Sequence, residues 1–233
     1  MNRTGLVIAL AIGVVIGVVF GVWPRLDLAV STPFYDPKTH DFPLNGHVWS
    51  QYARNAARAL ITLLIVPAGL ALLGKILFPR RRELIRYQAA LFLIGTLAVG
   101  PGLLTNSLLK NHWGRARPID VTEFGGSSRF TPWWDPRGDC PINCSFIAGE
   151  PAGAFWTMAP AALAPPQWRL LAYGAALAFG SAVGVLRIAG GGHFFTDVVF
   201  AGVFMYLVIW AAYGLTYRWW PKRTSEKTDK PVE

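Results

Sequence analysis

Charge is scarce in this chain. Asp, Glu, Lys and Arg make up only 15% of its 233 residues, while 53% are hydrophobic. That balance excludes an ordinary soluble domain of this size, and the mean hydropathy of +0.36 points to a membrane as the solvent. Cysteine is scarcer still: Cys140 and Cys144 stand alone, close together in a polar stretch. Two thiols without a second cysteine pair or a histidine pair leave a zinc tetrahedron incomplete, but they can form a disulfide in an oxidising compartment. Repeats and low-complexity segments are missing too, which disfavours a transporter built from matching halves. The charge that is present is mostly positive, with a formal net of +9. It falls in short clusters between apolar runs instead of forming one soluble patch, so a nucleic-acid partner is not expected.

What the chain does have is apolar length. A spanning helix needs roughly 20 apolar residues, and the runs Gly5 to Trp23, Ala56 to Phe78, Tyr87 to Leu109, Gly149 to Ala164, Leu170 to Leu186 and Phe194 to Tyr217 predict an all-α integral membrane bundle of about six helices, forming a single domain over 1–233. The first run is longer than a signal-peptide core and lacks a small-x-small cleavage site, so it reads as an uncleaved span. Gly100-Pro101-Gly102 predicts a kink in the third. The fourth is short. Basic clusters at Arg80 to Arg86 and Arg218 to Arg223 mark cytoplasmic helix ends, and the charged tail, 221–233, is expected to be disordered on that side. Both termini are then cytoplasmic. Trp133 and Trp134 are expected as interfacial anchors, and Gly13 and Gly17 as a helix-packing face.

Three polar segments fall on the opposite face, where ionisable residues are costly near lipid without a purpose. The first runs from Lys110 to Pro118, the second from Cys144 to Glu150, the third from Arg187 to Asp197. Lysine supplies a point charge and arginine a planar fork for phosphate oxygens. Glycines let backbone amides approach a ligand closely. His193 and Asp197, four apart, share a face if Asp197 opens the sixth helix, and a carboxylate there can hold the imidazole in one tautomer. These residue types describe an anion site with a nucleophile. Arg115, inside the first segment, is expected at a headgroup or the membrane surface, and His40, His47 and His112 as plain loop residues.

The pattern Lys-x6-Arg-Pro at Lys110, Arg117 and Pro118, followed by Arg-x5-His-x3-Asp at Arg187, His193 and Asp197, resembles the first and third signatures of the type-2 phosphatidic acid phosphatase superfamily. The resemblance covers about residues 50–215. It implies a membrane lipid phosphate phosphatase that needs no metal and no cofactor. By the same resemblance His193 attacks phosphorus to form a phosphohistidine, Asp197 orients it, and Lys110, Arg117 and Arg187 cradle the phosphoryl oxygens before water resolves the intermediate.

The second signature departs from the family's Ser-Gly-His. Here it reads Ala148-Gly149-Glu150, so the serine hydroxyl is gone and a carboxyl replaces the usual proton-donating histidine; Leu186 also stands where a serine commonly precedes the arginine. Gly149 keeps a backbone amide for phosphate. A similar Cys-Ser-Phe-x-x-Gly-Glu segment occurs in lipid A phosphatase-like branches of the superfamily. To act as the acid, Glu150 would need its pKa raised to about 6 to 7 from a model value near 4.3. The expected substrate is a lipid phosphate held in the bilayer, with lipid A, polyprenyl diphosphate and phospholipids as candidates, at the periplasmic face of a bacterial inner membrane. The rivals are a lipid phosphotransferase and a catalytically weakened lipid-phosphate-binding protein.

Overall fold

The computed structural model describes residues 2–80 and 85–219. Most of the Arg80 to Arg86 cluster and the whole 221–233 tail lie outside the described residues. Within them the chain is helical, with only two isolated bridges, Asp36 to Asp41 and Val121 to Ser128, in place of strands.

Among the described residues, five helices are long and apolar enough to cross a membrane: α1 (Arg3–Val22), α3 (Val48–Leu77), α4 (Tyr87–His112), α7 (Pro166–Ala189) and α8 (Phe195–Arg218). A short α2 (Arg25–Ser31) follows α1. Large apolar side chains such as Val14, Leu63, Leu70 and Leu171 stand exposed along the spans, as they must where lipid and not water is the neighbour. In α1, Gly13 and Gly17 form the packing face expected of them: a Cβ at either would lie 3.4 Å from Val203 or 3.3 Å from Trp133.

The fourth apolar run does not become one long helix. It folds as α5 (Gly149–Phe155) and α6 (Met158–Leu163), together shorter than a span requires. Pro160 explains the break, because its ring clashes with the carbonyl four residues back and offers no N–H to it. That carbonyl, of Trp156, is taken by Ala159 at 2.8 Å instead. The pair is packed inside the bundle against α7 and α8, with Ala152, Trp156, Met158 and Ala159 buried in the main apolar cluster.

The kink expected at Gly100-Pro101-Gly102 takes the form of a π-helical stretch, Ala98–Leu109, within α4. Side chains cover the carbonyls this loosens: Thr105 Oγ1 donates to Gly100 at 3.1 Å and Asn106 Nδ2 to Pro101 at 2.7 Å. Lys110 directly follows this widened stretch, at the C-terminal end of α4.

Beyond the helix ends, residues 113–148 fold over a second apolar cluster of Phe42, Ala116, Val121, Phe124 and Phe194. Trp133 is not the surface anchor expected. Its ring lies 4.4 Å from Phe200, its indole N–H reaches Gly17 O at 3.3 Å, and its carbonyl accepts Trp113 Nε1 at 2.7 Å. Trp134 is the exposed one of the two.

Candidate active site

The residues singled out by sequence spacing meet at one end of the bundle. Arg187 sits in the last turn of α7, His193 in the link that follows, and Asp197 in the first turn of α8. Lys110 comes from the C-terminal end of α4, Arg117 from the segment after it, and Gly149 and Glu150 from the start of α5. A Cβ on Gly149 would lie 3.2 Å from Lys110 Nζ, so the missing side chain lets the lysine rest against α5. Lys110 Nζ donates to Asn143 Oδ1 at 3.0 Å and Arg117 Nη2 to Asn143 O at 2.8 Å, which ties two cations to one loop residue.

The glycine run has a steric reason. A Cβ on Gly192 would fall 2.1 Å from Arg187 Nη2 and 2.6 Å from its Cζ, so the guanidinium folds back over the bare backbone. Gly191 takes a positive φ of 63° and presses on the Phe42 ring, a conformation and a space that both favour glycine. Arg187 Nε is buried without a hydrogen-bond partner and lies 3.8 Å from Glu150 Oε2. A buried N–H in that condition is a donor available to a phosphate oxygen.

His193 is almost wholly buried. Its Nδ1 meets the Ser145 carbonyl at 2.8 Å, while Asp197 Oδ2 is 3.9 Å away. The carboxylate therefore does not hold the imidazole directly, as its spacing had suggested. Ser145 stands between them, its hydroxyl donating to Asp197 Oδ2 at 2.5 Å. A carbonyl accepts only, so Nδ1 carries the proton and Nε2 keeps the free lone pair. Burial first, and then the charges of Arg187, Lys110 and Arg117, hold the imidazole well below its usual range. Neutral and singly oriented beside three cations, it has the form that a nucleophile requires.

Asp197 is fastened from behind. Besides Ser145 it accepts from the Phe194 amide at 2.8 Å and from Arg115 Nη1 at 2.5 Å. Arg115 is fully buried, contrary to the surface position expected. It also donates to Asp27 Oδ2 at 2.7 Å, Thr196 Oγ1 at 2.8 Å and the Thr131 carbonyl at 3.0 Å, with its guanidinium 4.4 Å over the Phe194 ring. Burial opposes its charge, but Asp197 and Asp27 outweigh that and raise its pKa. Asp27 in turn takes the Thr196 amide at 3.0 Å and hydroxyl at 2.6 Å.

Glu150 has a partner that sequence spacing did not reveal. Arg54 of α3 grips both carboxylate oxygens, Nε to Oε2 at 2.9 Å and Nη2 to Oε1 at 2.6 Å. Burial pushes the carboxyl up, yet the Arg54 hydrogen bonds and the charges of Arg187, Arg54 and Arg58 win, holding it below the usual carboxylate range. The raised pKa that an acid here would need is therefore not what its surroundings produce. Cys140 and Cys144 are joined as a disulfide, with Cα atoms 5.7 Å apart. Among the described residues no cluster of three His, Cys, Asp or Glu side chains is placed to hold a metal.

Residues 89–224 match the PAP2 superfamily. The chain belongs to that superfamily. As a PAP2 protein it is also 34% identical, over 94% of its own length and 98% of the relative's, to the lipid A 4'-phosphatase of Francisella tularensis subsp. novicida (strain U112). Against the lipid A 4'-phosphatase of Rhizobium leguminosarum it is 38% identical over 54% of each chain. No solved structure matches it. This PAP2 protein is a membrane lipid phosphatase of the metal-independent kind.

Proposed function

We propose that the protein removes a phosphate monoester from an acylated phosphosugar of the lipid A type, through a phosphohistidine on His193. The observation that carries the reading is the oriented, neutral His193 surrounded by Lys110, Arg117 and Arg187; the substrate class comes from the relative that matches nearly end to end. Lys110, Arg117 and Arg187 take the phosphoryl oxygens, with the Gly149 amide at the head of α5 beside them. Phosphoryl transfer is mostly positioning and charge stabilisation. His193 Nε2 bonds to phosphorus, the ester P–O bond breaks, and the departing sugar oxygen takes a proton from water. In the second half a water oxygen bonds to phosphorus, the P–N bond breaks, and inorganic phosphate leaves.

Glu150 belongs to that second half in this reading. A carboxylate held ionised by Arg54 is a proton acceptor, suited to taking the proton from the attacking water. Asp197, Ser145, Arg115 and Asp27 act on His193 from behind, as positioning residues.

In this reading the site faces the periplasm from a bacterial inner membrane, and both termini are cytoplasmic. Two features support this. Lys110 and Arg86 lie near opposite ends of α4, 24 residues and so about 36 Å apart at the α-helical rise, and the basic Arg80 to Arg86 cluster favours the cytoplasm. The disulfide in the loop next to the site suits an oxidising compartment.

The test is phosphate release in detergent from a panel holding lipid A, a polyprenyl diphosphate, phosphatidylglycerol phosphate and phosphatidate, with His193→Ala as the blank. Release from lipid A, with a phosphohistidine trapped by alkaline quenching, is expected. Unchanged release by the His193→Ala protein would remove the nucleophile assignment.

A further inference from the structure

A cavity of about 440 Å³ opens beside the phosphate cradle, outside the apolar spans. Its polar lining includes Arg117, Asp120, Ser127, Ser128, Asp139 and Asn143. Two of these also belong to the cradle, since Asn143 accepts from both Lys110 and Arg117. A ligand whose phosphate rests on those cations therefore has the rest of its headgroup at the mouth of this cavity.

We infer that this cavity seats the sugar of the lipid headgroup, so that an acylated phosphosugar is oriented by its ring as well as by its phosphate. The inference rests on the phosphatase reading and deepens it. Three observations carry it. The volume falls within the range of small-ligand sites. The lining joins carboxylate, hydroxyl and amide groups, which pair with sugar hydroxyls, to the apolar side chains of Ile119, Pro141 and Ile142, which suit the C–H face of a ring. Asp120 and Asp139 repel a second anionic group, so the class favoured is an uncharged or amino sugar. A phosphatidate has nothing to place here, and acyl chains would leave these polar groups unpaired.

The walls are preformed and tied to the catalytic segments. On one side, Ser128 N–H reaches Asp120 O at 2.8 Å, Thr122 N–H reaches Ser128 O at 3.0 Å, and Ile119 N–H reaches Gly191 O at 3.0 Å, two residues before His193. A Cβ on Gly126 would meet the Asp120 carbonyl at 2.2 Å, so the wall closes only over a glycine. On the other side, the Cys140 to Cys144 disulfide closes the loop that carries Asn143. Cys144 N–H reaches Lys110 O at 2.9 Å and Ser145 N–H reaches Arg115 O at 2.7 Å. A site held in this way does not have to be ordered when the ligand arrives.

The experiment is calorimetric titration of the full-length protein in detergent with two probes: a phosphate-free, acylated glucosamine disaccharide lipid, and inorganic phosphate. Ser127→Trp fills the cavity from an exposed position and Asp120→Ala removes an exposed carboxylate, neither being part of the catalytic set. Both variants are expected to weaken the glycolipid about tenfold and to leave inorganic phosphate within about twofold. Failure of the wild-type protein to bind the glycolipid, equal glycolipid affinity in all three proteins, or parallel loss of both probes would overturn the inference. Hydrolysis of the phosphorylated glycolipid is measured separately. Glycolipid binding of the expected pattern without phosphate release would sink the phosphatase reading and leave the cavity assigned. Phosphate release with no effect of either variant on the glycolipid would do the reverse.

Discussion

Asp27 and Arg115, 88 residues apart in sequence, form a buried ion pair at 2.7 Å behind Asp197, with neither side chain more than 1% exposed. Arg115 divides itself between Asp27 and Asp197, so the short α2 helix after the first span is mechanically part of the site. Removing one member of such a pair strands a buried charge, at about 3 to 5 kcal/mol. Asp27→Asn should therefore lower the thermal unfolding midpoint in detergent, and should lower kcat more than it raises KM, because the phosphate cradle itself is untouched. An unchanged midpoint and unchanged kcat would mean that the pair is dispensable.

How much of this was legible beforehand follows from sequence distance. Arg187, His193 and Asp197 lie within eleven residues, and Lys110 and Arg117 within eight, so their spacing announced both clusters. Asp27, Arg54, Asn143 and Ser145 act across 33 to 96 residues, and no local periodicity marks a partner at that range. Arg115 was misplaced for the same reason: a lone arginine beside a span reads as a surface residue until its two distant carboxylates are known. The split of the fourth run was half legible, since Pro160 disfavours an unbroken helix there, yet Pro67 lies inside the unbroken α3.

Gly192 separates two uses of the glycine run. If its role is to leave room for the Arg187 guanidinium, Gly192→Ala displaces a phosphate ligand without touching the core. The loss of one charge-assisted contact, about 1.5 to 3 kcal/mol, should lower kcat/KM by roughly tenfold to a hundredfold at a nearly unchanged unfolding midpoint. Gly191→Ala meets both a positive φ and the Phe42 ring, and should lower the midpoint as well. Matching effects from the two variants would show that the run has one common role.

Proton inventory at His193 sets the acid side of the pH profile. Burial and three neighbouring cations lower its pKa, so the neutral imidazole persists as pH falls through the usual histidine range. The acid limb of kcat/KM for the wild-type protein should then lie well below pH 6.5. Arg187→Gln removes one cation and lets the imidazole hold its proton more readily, which should move that limb to higher pH while lowering the rate. A limb that stays in place in the variant would detach it from His193.

Glu150→Gln distinguishes acid from base. As the acid for the departing sugar oxygen, Glu150 would be needed to form the phosphohistidine; as the base for water, it is needed only to break it. The Arg54 pair holds it as a carboxylate, so Glu150→Gln should accumulate phosphohistidine, seen as a burst of sugar-lipid product of about one equivalent per protein followed by slow turnover. Arg54→Met is the companion variant, because it frees the carboxyl from the bonds that hold it down. A Glu150→Gln protein that forms the intermediate slowly and never accumulates it would return the residue to the acid role.

Ala148 stands where the superfamily's second signature has serine, and from the sequence alone that substitution reads as a lost phosphate contact. Its surroundings give it another meaning. The side chain is fully buried in the main apolar cluster with Phe146, Ile147 and Ala152, and its N–H donates to the Asp197 carbonyl at 3.2 Å. The hydroxyl nearest His193 belongs instead to Ser145, which is engaged with Asp197. Ala148→Ser would therefore bury a hydroxyl, at about 1 to 3 kcal/mol if it finds no partner, and should lower the unfolding midpoint without improving phosphate affinity. Ser145→Ala supplies the comparison, since losing the hydroxyl between Asp197 and His193 should lower kcat while leaving phosphate binding intact. Tighter phosphate binding by Ala148→Ser at an undiminished midpoint would mean that the new hydroxyl reaches the phosphate after all, and that the pocket keeps the superfamily's geometry at this position.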